Sequence, residues 1–155
     1  RHRDWIFFHS PRRRDFSYYL DPNVSYPQFS RDFASVVHLG STVTYIMLQF
    51  AYHLGCDAMF IVGLDHDYGR LPEFFPPGKI TINEENYELV KECHFSENYY
   101  KIGDQIGVPW KEGQELAYKL AKEEFESADR SIYNASVKSK LEVFERITPN
   151  LTLSF

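Results

Sequence analysis

Asp65, His66, Asp67 and Tyr68 put two carboxyl groups, an imidazole and a phenol within four consecutive positions, directly after the run Ala58-Met59-Phe60-Ile61-Val62-Gly63-Leu64. Carboxylates orient hydroxyls or ligate hard cations, a phenol donates to a phosphate or a leaving group, and a near-neutral imidazole is the usual general base. Neighbouring side chains diverge, so a single crevice takes only some of the four. Asp65 is best placed, just past an apolar run. The ordinary alternatives are that Asp65 caps a turn and that His66 is a partly buried structural histidine. His94 stands alone in sequence, yet it follows an apolar-to-loop transition and can converge on the same crevice. A metal site built from Asp65, Asp67 and a histidine is a further option, at a spacing that is not diagnostic. Gly40-Ser41-Thr42 precedes a helical pattern and can offer free backbone N–H groups to a phosphate or carboxylate. There is neither a Walker motif nor a G-x-G-x-x-G.

The elements around these residues set where they can point. Gly40 can take φ values closed to other residues, and Ser41 or Thr42 can cap a helix start. Val43, Met47, Phe50, Ala51 and Leu54 recur at helical spacing and are expected to face a core. Gly55 suits the left-handed residue that ends such a helix. Ala58–Val62 reads as a strand covered on both faces. Helix, tight turn, strand and polar loop make half of a βαβ unit, whose ligand crevice lies beyond the carboxyl end of the strand.

Further along, Trp5–Phe8 reads as a first strand, residues 10–31 as a long irregular loop, and Ser35–His38 as a short strand. Arg12-Arg13-Arg14 is a solvated face or a holder of phosphate or carboxylate. Residues 69–92 read as loop with at most a hairpin, in which Lys79–Ile82 is an edge strand. Cys93-His94-Phe95 opens another loop, with Tyr99-Tyr100. A helix over 111–127 carries the stripe Leu116, Ala117, Leu120, Ala121 and Phe125. Ser131–Asn134 reads as a strand, Leu141–Phe144 as a short apolar piece, and 147–155 as an irregular tail. The alternation of helix and strand predicts an α/β fold in three layers with a largely parallel sheet.

Length and composition narrow the classes. At 155 residues, a single domain over 1–155 is expected, with a core helped by 17% aromatic content. A net charge of −5 argues against a nucleic-acid binder. Cys56 and Cys93 fit neither a disulfide framework nor a zinc motif, and Cys56 reads as a buried reduced thiol, pointing to the cytoplasm. No apolar run approaches the ~20 residues a membrane span needs.

Several pieces together resemble a known family. Gly40-Ser41-Thr42-Val43, Ala51-Tyr52-His53-Leu54-Gly55-Cys56 and Ile61-Val62-Gly63-Leu64-Asp65-His66 are similar to the 6-hydroxymethylpterin diphosphokinase MptE-like family, which also covers flagellin motility-associated (Maf) glycosyltransferase-like proteins. His94-Phe95, Tyr99-Tyr100, Glu115-Leu116-Ala117-Tyr118, Ile132-Tyr133-Asn134-Ala135-Ser136 and Lys140–Arg146 resemble its members among bacterial surface-glycan genes. The resemblance spans roughly 36–148. A more distant likeness is to bacterial sialyltransferases that use CMP-sialic acid, through Ser41, Gly63-Leu64-Asp65, His94, Asn134 with Ser136, and Pro149-Asn150.

That likeness implies a Rossmann-like transferase with a nucleotide-activated donor, a CMP-sugar, and a glycan or small-molecule acceptor, with no tightly bound cofactor. His94 becomes the base on the acceptor hydroxyl and Tyr68 the phosphate-side group. Asp65 and Ser41 position substrate, and Ser41 with Gly40, Thr42, Gly63, Asn134 and Ser136 contacts the donor. The sialyltransferase tyrosine follows the aspartate by two residues, where this chain has Asp67, with Tyr68 one later. The MptE-like alternative implies ATP-dependent pyrophosphoryl transfer to a pterin, with Mg²⁺ on Asp65 and Asp67. A third reading is a truncated, non-catalytic binding module. Both families carry a Gly-x-Gly-Pro-Ser-like turn on their first strand, and none precedes Gly40. The chain is therefore expected to be the carboxyl-terminal part of a longer protein, with a sheet incomplete on its amino-terminal side and an exposed edge able to self-associate into a homo-oligomer.

Overall fold

The computed structural model describes residues 25–93 and 99–148. The expected strand at Trp5–Phe8, the arginine cluster, His94 and Pro149-Asn150 lie outside the described residues.

A left-handed turn at Gly40 and Ser41 precedes the first helix. Gly40 and Ser41 have φ of 55° and 61°, and a Cβ on Gly40 would run into the Tyr45 ring. Thr42 is extended (φ −157°) and its hydroxyl accepts from the Thr44 N–H, capping helix α1 (Val43–His53). Thr42 is thus the cap, and Ser41 belongs to the turn. Gly55, φ 79°, ends the helix as expected. The buried face of α1 is Tyr45, Leu48, Gln49 and Ala51. Val43, Met47 and Leu54, expected to face the core, are 71%, 54% and 62% exposed. The sequence of α1 is apolar nearly all round, so periodicity alone selects no face; docking does.

Strand β1 (Ala58–Ile61) follows, then the short helix α2 (Leu71–Phe74), strand β2 (Gly78–Thr81), helix α3 (Tyr87–Lys91) and strand β3 (Gln105–Val108). Helix α4 (Lys111–Glu126) returns the chain to strand β4 (Ser131–Asn134), and β5 (Glu145–Arg146) closes the described part. The larger sheet is parallel, in the order β1-β4-β5, with Ala58 opposite Ser131 and Tyr133 opposite Glu145. The α/β class and the parallel pairing therefore match the expectation. β2 and β3 form a separate antiparallel pair, with Ile80 opposite Ile106.

Helices α1 and α4 pack together over one face of the parallel sheet. Their shared core joins Tyr45, Leu48, Ala117, Tyr118, Ala121 and Phe125 to Ile132, Leu141 and Phe144, with Met59 and Ile61 against it. Leu116, expected in the α4 stripe, is 45% exposed, and Tyr118 takes its place. Burial in β1 alternates rather than being continuous. Among the described residues only one face of the strand is covered, because both long helices lie on the same side. Phe60 stacks on Tyr133 across the other face, with ring centroids 5.3 Å apart.

Residues 69–92, expected as loop with at most a hairpin, hold β2 about where an edge strand was expected at Lys79–Ile82, and also contain the helices α2 and α3. Pro72 stands in the first turn of α2, where its missing N–H costs nothing. Asn83 and Asn86 exchange backbone N–H to side-chain bonds at 2.9 and 3.0 Å ahead of α3. These elements and β3 enclose a second cluster of Leu71, Ile82, Val90 and Val108. The segment expected as a strand at Ser35–His38 is instead a turn and extended chain, held through Gln49. Among the described residues no helix is long and apolar enough to cross a membrane.

Candidate functional site

In a right-handed strand–helix–strand unit the helix N-terminus returns near the carboxyl ends of the strands. Here α4 joins β1 to the adjacent parallel β4, so the start of α4 comes to the loop that leaves β1. Tyr68 donates its phenolic proton to Gln114 Oε1 at 2.7 Å, and His66 Nε2 lies 3.2 Å from Glu115 Oε1. Gln114 Nε2 donates to the Ser41 carbonyl at 3.2 Å, which draws in the turn before α1. Tyr118 donates to Thr42 Oγ1 at 3.4 Å. The turn at Ser41, the start of α4 and the loop after β1 therefore meet at one edge of the sheet.

His66 is fully buried at its side chain and packed edge-on against the rings of Tyr68 and Tyr118, with centroids 5.5 and 6.1 Å away. Its backbone is left-handed, φ 52°, a conformation that histidine enters more readily than bulky residues do. Burial lowers its pKa, outweighing the opposing pull of Glu115, so the ring is neutral near pH 7. Nδ1 is buried without a hydrogen-bond partner, as is the Ser41 hydroxyl. The environment of His66 is that of a structural histidine, wholly rather than partly buried. Burial raises the pKa of the Tyr68 phenol, keeping it a proton donor.

The loop after β4 completes the edge. Ser136 Oγ accepts from the Leu64 N–H at 3.0 Å, and the Ala135 N–H donates to the Ile61 carbonyl at 2.8 Å. Asn134, fully buried, accepts from the Ser136 N–H and donates to Ser139 Oγ and the Leu141 carbonyl. Asn134 and Ser136 thus spend their polar atoms shaping the two loops. The Lys140 N–H donates to the Asp65 carbonyl at 2.7 Å, locking the loops together. Arg146, on β5, donates to the carbonyls of Ser139 and Ser136 at 2.8 and 3.0 Å.

Between the loops lies a cleft of about 350 Å³ lined by Asp65, Asp67, Lys138, Ser139 and Lys140. Lys140 Nζ is 2.9 Å from Asp67 Oδ1, and this bond holds the Asp67 carboxyl below its ordinary pKa. Asp67 also accepts from the Gly69 N–H at 3.1 Å. Gly63 is left-handed, φ 78°, with open space where a side chain would stand.

Of the residues expected to bind or react, the structure brings Gly40, Ser41, Thr42, Gly63, Asp65, Asp67, Tyr68, Asn134 and Ser136 to this edge, and His94 lies outside the described residues. Asp65 and Asp67 share a cleft, but Asp67 is engaged by a lysine. Among the described residues no group of three histidine, cysteine or carboxylate side chains is arranged for a metal. Gln114, Lys138, Lys140 and Arg146 were not expected from their spacing. Gln114 carries a legible signal, a polar residue on the core-facing stripe of a helix at 114, 117, 118 and 121. Lys138 and Lys140 do not, since solvated lysines in a loop look the same in sequence.

No family model matches the chain, and neither curated proteins nor solved structures contain a significant match to it.

Proposed function

We propose that the chain carries part of a Rossmann-like, three-layered transferase domain that uses a nucleotide-activated donor, with sialyltransferase-like glycosyl transfer in surface-glycan assembly as its reaction. The observation that supports this is the meeting of two parallel strand ends with the starts of α1 and α4, at Ser41, Tyr68 and Gln114. Open α/β sheets bind nucleotides at such an edge, where backbone N–H groups and helix dipoles favour phosphate. The neighbouring cleft adds the ammonium group of Lys138 for donor phosphates and the Asp65 carboxylate for sugar hydroxyls.

In this reading the acceptor oxygen attacks the anomeric carbon. The bond from that carbon to the donor phosphate breaks with its electron pair on the phosphate, and the acceptor proton passes to the base. His94 is the base on the strength of the resemblance. Tyr68, a protonated phenol, stands on the phosphate side by turning its donor bond from Gln114 to the departing group. Asn134 and Ser136 serve by holding the loops that contact the donor.

The pterin diphosphokinase alternative asks Asp65 and Asp67 to hold Mg²⁺. That requires Asp67 to give up Lys140, so the donor set as it stands favours the reading without a metal. The test is a thermal-shift panel of CMP, CDP, UDP, GDP and ATP with and without Mg²⁺. A ligand at a hundredfold excess over Kd adds about 2.7 kcal/mol, roughly 5–10 °C for a chain of this size. A metal-independent rise with CMP is the expected outcome. A rise only with ATP and Mg²⁺ would replace it by the pterin kinase, and no rise from folded protein by the non-catalytic module.

A further inference from the structure

A second cleft, of about 210 Å³, opens just beyond the carboxyl ends of β4 and β5, lined by Ala135, Ser136, Val137, Arg146, Ile147 and Thr148. In a parallel sheet this is the edge at which ligands bind. The lining carries one charged side chain, Arg146, and no carboxylate, unlike the cleft of Asp65 and Asp67. The Arg146 guanidinium donates to the carbonyls of Ser139, Ser136 and Val137 at 2.8, 3.0 and 3.5 Å, and among the described residues it meets no carboxylate. Those bonds fix the direction of the group without cancelling its charge. A guanidinium also carries five N–H donors, more than three carbonyls take up.

The other polar groups of the lining divide into those already spent within the protein and those left for a ligand or water. The Ala135 N–H donates to the Ile61 carbonyl, the Ser136 N–H to Asn134 Oδ1, and the Ile147 N–H to the Asn134 carbonyl. The Ser136 hydroxyl is held between the Leu64 N–H and the Ile61 carbonyl. The carbonyls of Ser136 and Val137, which would repel an anion, are turned to Arg146. Among the described residues the Val137 N–H and the Thr148 hydroxyl have no partner. What the cleft offers is therefore a fixed positive charge with two further donors beside it. A carboxylate presents two oxygens to such a set, whereas a phosphate monoester presents three strong acceptors and the larger charge. The planar fork of an arginine also matches phosphate geometry.

We infer that this cleft is a binding site for a small-molecule phosphate monoester, whose terminal oxygens accept from the Arg146 guanidinium, the Val137 N–H and the Thr148 hydroxyl. The assignment stands apart from the transferase reading, which gives none of these three groups to donor, acceptor or base. Arg146 has two tasks here, bracing the loop after β4 through its carbonyls and facing the ligand with the donors that remain.

The test is nitrogen–proton NMR on the 155-residue chain, titrated at constant ionic strength with methyl phosphate and, in parallel, with inorganic phosphate and acetate. Methyl phosphate is expected to give saturable shifts centred on the Val137 amide and Arg146 Nε. Affinity should fall about fivefold in Thr148→Val, which loses one neutral hydrogen bond, and tenfold or more in Arg146→Gln, which loses the charge. Thr148→Val leaves the bonds of Arg146 to the loop in place, so it keeps the test sharp where Arg146→Gln lowers the melting temperature. No saturable binding, or equal affinity in Thr148→Val, overturns the site. Shifts centred on Asp65 and Lys138 overturn it too, by placing the anion in the other cleft. Acetate binding as tightly as methyl phosphate would replace the phosphate by a carboxylate, and binding of inorganic phosphate alone would rule out the ester.

Discussion

His66 illustrates how one side chain links burial to pH. Its folded pKa is below the ordinary 6.5 because burial opposes charge. The unfolded chain therefore takes up the proton first, and stability is full above pH 6.5, falling as pH drops from there towards the folded value. His38 is shifted the same way by burial and contributes in the same window. The melting temperature is expected to fall between pH 7.5 and 5, and His66→Gln should flatten part of that slope; an unchanged slope would assign the loss to other groups. Gly40 gives a steric case. Gly40→Ala forces a left-handed alanine against the Tyr45 ring and should cost about 2 kcal/mol or more in denaturant unfolding. In the proposed donor cleft, Lys138→Ala is expected to weaken CMP binding, read by calorimetry, while the melting temperature of the unliganded protein stays within about 1–2 °C, as for an exposed side chain. Equal CMP affinity would take Lys138 out of the site. The identity of these residues is plain in sequence, but whether each is buried, paired or open is not.

At the scale of elements, α1 shows how a buried polar side chain chooses a helix face. Gln49 is fully buried, accepting from the N–H groups of Ser30 and His38 at 3.0 and 3.1 Å and donating to the His38 and Tyr45 carbonyls at 2.6 and 3.1 Å. It pins residues 30–38 against the helix in place of strand pairing. Gln49→Leu keeps the volume but strands two backbone donors and a carbonyl, and should cost about 3 kcal/mol in chemical denaturation. A cost under about 1 kcal/mol would show that water readily replaces the amide. Helix α4 was legible because Lys and Glu fill its outer face opposite the buried Ala117, Ala121 and Phe125. Helix α1 was legible in extent but not in phase, since Val43, Met47 and Phe50 look as core-worthy as Tyr45 and Leu48. The short helices α2 and α3 depend on a proline in a first turn and on a reciprocal asparagine pair, signals too local for periodicity to catch.

For the molecule as a whole, the described residues bury two separate apolar clusters, one under α1, α4 and the parallel sheet, the other around the β2–β3 pair. Local opening draws on the smaller cluster first, where fewer apolar side chains hold the chain together. Native-state hydrogen exchange should therefore be faster in β2 and β3 than in β4 and the middle of α4, and uniform protection would mean that both clusters unfold as one unit. What the sequence determined by itself is the chemistry available and the kind of element that carries it. Gly40-Ser41-Thr42 before a helix, Asp65 to Tyr68 after a strand, and Asn134 to Ser136 after another are all local patterns, set by backbone preference and short-range periodicity. Tertiary structure alone decided which of these groups meet. Parallel pairing of β1 with β4 joins residues some seventy positions apart, and the crossover through α4 delivers Gln114 and Glu115 to the loop after β1. It also decided which atoms remain available. Asn134 and Ser136 are consumed by loop contacts and Asp67 by Lys140, because burial and hydrogen-bond competition are settled by neighbours that are distant in sequence.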